Sequence, residues 1–153
     1  GFWCKHSTFY EAVQIPLIIS SPKYSAKDNS DSFTELVDIY PTLCELAGIV
    51  PPNYIQGKSL TSVLENPEII LKEEVYTRYK QGEAVIDQNY SYTEFVIGEK
   101  YLGNMLYDMR NDNKQNIDIS KHPENLELVK KYSTKLEEMR NYVNKDPFQN
   151  QSN

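Results

Sequence analysis

An α+β fold is predicted for this chain of 153 residues: a small antiparallel sheet packed by a long C-terminal helix. One strand and one helix precede them and need a larger sheet around them. Three observations carry the prediction. After Glu73 polar residues alternate with β-branched and aromatic ones, the period of a strand. Near the C-terminus apolar residues recur at helical spacing. Near the N-terminus "IPLII", Ile15 to Ile19, has no polar position, as in a strand covered on both faces.

The first element is a strand over "AVQIPLIISSP", Ala12 to Pro22, bounded by its final proline. Lys23 to Ser32 is polar and turn-rich, so it reads as a loop. "ELVDIYPTLCELAGI" carries a helix. Asp38 is a suitable N-cap, Pro41 lies in the first turn, and Gly48 suits the position just past the end. Ile39, Leu43, Leu46 and Ala47 form its expected apolar face, with Cys44 as a small core residue. "VPPNYIQGKSL" is a surface connection and "SLTSVLEN" a short helical turn.

Three stretches then read as an antiparallel meander with one face wet: "EEVYTRYK", "GEAVIDQNYSYTEFVI" and "KYLGNMLYDMR". "NDNKQNIDIS" is a loop. Ser120 caps the last helix, with Pro123 in its first turn and Leu126, Val129, Leu136, Met139 and Val143 on its apolar side. Residues 1–70 therefore group as the incomplete end of a larger domain, 71–145 as a sheet-and-helix subdomain, and 146–153 as a tail.

Composition narrows the function. The net charge is −6 and no basic block is present, which argues against nucleic acid as a partner. No segment approaches the length of an apolar membrane span. The chain has 12 Tyr against 5 Phe, which suits half-buried strands and polar clefts. Its two cysteines make no disulfide framework.

Three stretches resemble the sulfatase family of the alkaline-phosphatase superfamily. "WCKHSTFYEAVQIPLIISSP" is similar to its W-x-K-x-[ST] motif followed by an aromatic-Glu pair and [VI]-P-L-I. "ELVDIYPTLCELAGIVPPNYIQGKSL" resembles its "LVDLYPTLxELAG…P…QGxSL" run, and "MLYDMRNDNKQNIDISKHPE" its "LYDLxxDPxExxNLAxxPE" ending. They fall in the family's order. "WCKHS" and "TRYKQGEAV…YSYTEF" look most similar to the iduronate-2-sulfatase-like branch.

The resemblance implies an α/β alkaline-phosphatase-like fold of which this chain is the C-terminal part. It implies a parent, often exported, that hydrolyses sulfate monoesters of a small molecule or saccharide with a formylglycine and a calcium ion. Neither cofactor motif occurs here: there is no C/S-x-P-x-R around Cys4, no paired-Asp motif and no D-H/N-G motif. Hence no cofactor, metal site or confident catalytic residue is expected on this chain, and its partner is the N-terminal portion of the sulfatase. The chain by itself is expected to be inactive. Rival readings are a non-catalytic assembly or substrate-lid module, and part of a phosphate-monoester or phosphonate hydrolase of the same superfamily.

Two substrate-binding residues are expected, Lys5 from the resemblance and His6 from its chemistry. Lys5 matches the lysine that contacts the sulfate, where an ammonium offsets charge building on the bridging oxygen. His6 fits either a donor to substrate or to a leaving alcohol, or a partly buried histidine that only packs. Ser7 or Thr8 is expected to cap the turn that follows, with Glu11 reaching back. Arg78 and Lys80 fit either a contact to a sugar carboxylate or charges guarding a strand edge, the edge being the simpler reading. The ending departs from the family pattern at Asn113 and Gln115, where Pro and Glu are usual. Ile86 stands where related sequences often carry Arg.

Overall fold

The computed structural model describes residues 5–24 and 29–143. Cys4 and the expected tail lie outside them. The described residues divide into two compact units. One joins residues 5–16 to 74–142, and the other holds Leu17 to Glu73. The grouping differs from the predicted boundary near residue 70 at the N-terminal end, because the first residues pack on the late sheet.

In the first unit, four strands form one sheet in the order β1-β2-β3-β4, all antiparallel: β1 (Glu74–Tyr79), β2 (Gly82–Asp87), β3 (Tyr90–Ile97) and β4 (Lys100–Asp108). The second predicted stretch folds on itself at Gln88-Asn89. The Asp87 carboxylate accepts from the Asn89 and Tyr90 backbone N–H groups, both at 2.8 Å, and so makes the turn locally.

The expectation of one wet face fails. In β2 every residue from Gly82 to Ile86 is buried, and in β3 so is every residue from Ser91 to Glu94. Side chains of both parities are therefore covered. The final helix, α4 (Leu126–Val143), lies on one face. There Val85, Tyr92 and Leu106 meet Tyr132 and Leu136 in the main apolar core. Leu126 and Val143 of the predicted stripe are exposed, and Tyr132 takes the central place instead. Its ring supplies the buried area and its hydroxyl donates to Asp87. Ser120 does not cap α4, since a single-turn 3₁₀ segment, Pro123–Asn125, with His122 before it leads into the helix.

The opposite face is met by the N-terminal residues. A one-turn helix, α1 (Tyr10–Val13), replaces the start of the predicted strand. Residues 14–20 form neither helix nor strand. The apolar run has no strand beside it among the described residues, and a strand is defined by its ladder. The one strand expected of a larger sheet is therefore not formed.

In the second unit a 3₁₀ turn, Leu36–Asp38, leads into α2 (Ile39–Leu46), and α3 (Thr61–Glu65) follows. Gly48, at φ +71°, closes α2. Its N–H bonds Glu45 and that of Ile49 bonds Cys44, so the last carbonyls are satisfied as expected. Asp38 precedes α2 but, against expectation, its side chain makes no cap bond to that helix. Its fully buried carboxylate accepts from the backbone N–H groups of Glu35 and Lys58, both at 2.8 Å, and from Lys72 Nζ at 2.8 Å. Lys72 also reaches Glu35 at 2.6 Å. Gly57 sits so close to Val37 that a Cβ would lie 1.9 Å from its carbonyl oxygen, which explains a glycine in "QGKSL".

The apolar face predicted for α2 is not its buried side. Pro41, Thr42 and Cys44 are buried, with Leu60 and Val63 close to fully covered, whereas Leu43 is exposed. Leu36, Val37, Tyr40, Ile49 and Val50 are exposed as well.

Candidate functional site

The candidate site is the stretch Lys5 to Glu11 on the sheet face away from α4. Its hold on the sheet is side-chain chemistry, not strand pairing. The Thr8 hydroxyl, buried, is 3.1 Å from that of Thr93 on β3. The Phe9 ring packs on Tyr107 of β4, centroids 5.9 Å apart. The Tyr10 backbone N–H donates to Gln115 Oε1 at 2.6 Å, and Gln115 Nε2 donates to the hydroxyl of Ser91 on β3 at 2.8 Å. Glu11 pairs with Lys114 at the surface. Thus Thr8 and Glu11 are not the cap pair expected from sequence. Phe9 is the N-cap of α1 and makes no side-chain cap bond. Two long-range partners outcompete the local ones.

Lys5 and His6 are both exposed and lead this anchored segment. The His6 imidazole stacks on the Tyr79 ring at the end of β1, centroids 5.4 Å apart and planes 7° from parallel. Lys80, in the turn that follows, holds its ammonium 5.4 Å from the same Tyr79 ring. A cation and an aromatic face attract at that distance. Arg78 belongs to other company. Its Nε is 3.4 Å from Glu83 Oε1, on the sheet face that carries α4. The fold therefore brings His6, Tyr79 and Lys80 together, with Lys5 next to His6 in the chain, and directs Arg78 to the other face.

Gln115 was not among the predicted site residues. It is buried and holds φ +55°, a backbone region that only short polar residues and glycine visit readily. The departure from the family pattern at its position was the available signal. The loop around it is tied by Asp112, which accepts from the Asn116 and Ile117 N–H groups at 2.7 Å. Those bonds, the Ile117 one foremost, hold the Asp112 carboxyl below its ordinary value.

Among the described residues, no three His, Cys, Asp or Glu side chains converge as a metal site requires. The donors available do not fit the calcium that the resemblance implies for the parent. Nor does the sequence offer the C/S-x-P-x-R motif that a formylglycine needs.

Residues 1–142 match the family model for the C-terminal region of N-sulphoglucosamine sulphohydrolase. A Delta 4,5-hexuronate-2-O-sulfatase of Bacteroides thetaiotaomicron is 29% identical over 149 residues, covering 88% of this chain and 30% of the relative. Arylsulfatase K of Mus musculus is 39% identical over 62 residues, 40% of this chain and 11% of that protein. Among solved structures, one in complex with its substrate D-glucosamine-2-N,6-O-disulfate aligns with TM-score 0.62 and 26% identity, over 74% of this chain and 25% of that one. The phosphonate monoester hydrolase of Agrobacterium radiobacter aligns with TM-score 0.64 at 22% identity, over 73% of this chain and 26% of that one, a likeness of fold.

Proposed function

Because the chain belongs to the N-sulphoglucosamine sulphohydrolase C-terminal family, we propose that it is the C-terminal portion of a sulfatase acting on a sulfated sugar, with Lys5 and His6 as one wall of the sulfate site. The chain spans 30% of the length of its hexuronate-sulfatase relative, which supports assigning the activity to a larger protein. The names of the relatives, which specify a hexuronate and a glucosamine disulfate, support a sugar as the substrate.

The observation that carries this reading is the anchoring of the Lys5–His6 segment. Thr8, Phe9 and Tyr10 tie it to three different parts of one sheet unit. A wall of a site needs that fixity, because misplacing a charge by about 1 Å can cost about a hundredfold in rate. In this reading the Lys5 ammonium lies against the sulfate and offsets the charge that grows as the S–O bond breaks. His6 donates a hydrogen bond or a proton to the leaving sugar oxygen. A formylglycine and a calcium ion would come from the N-terminal portion of the parent, where the former would supply the nucleophile.

The exposed apolar side chains support a missing partner. Ile18 is 91% exposed and Val50 90%, with Leu36, Leu43 and Ile49 also exposed. Such a concentration on a small unit marks surface that another part of a protein covers.

The test is turnover of an aryl sulfate by the intact sulfatase and its Lys5→Ala variant. The expected loss in kcat is about 10²–10³-fold, the range for one preorganised electrostatic group. An unchanged kcat would remove Lys5 from the site. Turnover of aryl phosphonate in preference to sulfate would favour the phosphonate-hydrolase reading. The chain alone should show no turnover, and should bind its N-terminal portion at micromolar concentration in light scattering.

A further inference from the structure

Resting on the sulfatase reading, we infer that Tyr79 and Lys80 form a second anionic subsite, taking a further anionic group, carboxylate or sulfate, on the same sugar. Three observations converge. The His6 ring, beside Lys5, stacks on Tyr79, so the β1–β2 turn continues the wall that the N-terminal segment begins. Lys80 sets an exposed ammonium near that same ring. Its backbone is at φ +52°, a left-handed conformation that glycine or asparagine adopts far more readily than lysine.

Turn chemistry by itself gives no reason for a lysine there. What lysine supplies and glycine lacks is charge. Arg78, one residue earlier, is engaged by Glu83 on the other sheet face, so it does not serve this region. Lys80 therefore sets its charge at the Tyr79 side of the stacked His6–Tyr79 pair, and Lys5 is the chain neighbour of His6 on the other side. A sugar with two anionic groups matches that arrangement, its sulfate ester at Lys5 and its second group at Lys80.

The experiment uses the intact sulfatase and its Lys80→Asn and Lys80→Arg variants. Three substrates share one sulfate ester: a neutral sugar, the same sugar with a carboxylate, and the same sugar with a second sulfate. Asparagine tolerates the left-handed turn, so the thermal midpoint of Lys80→Asn should match the wild type. Its KM should rise about twofold to fivefold for a dianionic substrate, the range of an exposed ion pair, with kcat unchanged and the neutral sugar unaffected. Lys80→Arg should behave as wild type, and added salt should erase the difference. A rise confined to the carboxylate or to the disulfate identifies which group the subsite takes. Equal changes on all three substrates, or none on any, overturn the subsite while leaving the sulfatase reading intact. Absence of sulfate turnover in the wild type overturns the sulfatase reading, and the subsite with it.

Discussion

Replacing Arg140 with Met should loosen the attachment of α4 to the sheet. Arg140 donates from Nε to Glu83 and from Nη2 to Glu94 at 2.6 Å. The two carboxylates are 8% and 5% exposed. Burial works against the guanidinium's charge, but its hydrogen bonds to the two glutamates outweigh that and raise its pKa. Breaking a buried pair by removing one partner costs about 3–5 kcal/mol, because the other charge is left unpaired. Some relief remains here. Glu83 keeps Arg78, and Glu94 keeps the hydroxyls of Tyr92 at 2.9 Å and Ser133 at 2.6 Å. The lower end, about 3 kcal/mol, is therefore expected. That corresponds to about a hundredfold faster hydrogen exchange of the β2 and β3 amides in the intact protein. Adding Glu83→Gln and Glu94→Gln should recover most of the loss, since no buried charge then lacks a partner. Exchange within twofold of wild type for Arg140→Met, or no recovery in the triple variant, would refute the reasoning.

Gln115→Ala should release the Lys5–His6 segment, leaving the Tyr10 N–H and the fully buried Ser91 hydroxyl without their partner. An expected loss of about 2 kcal/mol should appear as faster exchange over residues 8–13 and a fall in sulfate turnover; unchanged exchange there would count against the anchor. Alkaline titration should expose the tyrosine-rich core. Burial, then the charge of Glu83, pushes the Tyr76 phenol up to about 12, and burial raises Tyr92 and Tyr132 as well. Folded values above the unfolded 10.0 mean that this stabilisation is whole below pH 10 and is lost as pH climbs toward 12. Those phenols should therefore ionise together with the loss of sheet circular dichroism; complete tyrosine ionisation before about pH 11 with the sheet intact would sink the idea.

Local order was legible in this sequence. Period-two alternation marked the four strands, although one turn inside "IDQNYS" was read through, because Asp87 makes it without glycine or proline. Gly48 ended α2 where its lack of a Cβ said it would. The three motif stretches pointed to the family to which the chain belongs.

Burial was less legible, for a physical reason. An apolar residue reports that it wants cover but not what covers it. Ile15 to Ile19 read as a buried strand, yet Ile18 is 91% exposed among the described residues. Leu43 looked like core and is exposed, while Thr42 and Asp38 are buried through hydrogen bonds that sequence patterns do not show.

By itself, then, the sequence determined the family, the late sheet with its final helix, and the motif that carries Lys5 and His6. Tertiary structure alone decided that this motif lies on the sheet, that Gln115 fastens it, and that Tyr79 and Lys80 adjoin it while Arg78 does not. Local geometry is set by neighbours along the chain, which a sequence displays. The contacts that bring residue 10 to residue 115 depend on the whole fold closing around them.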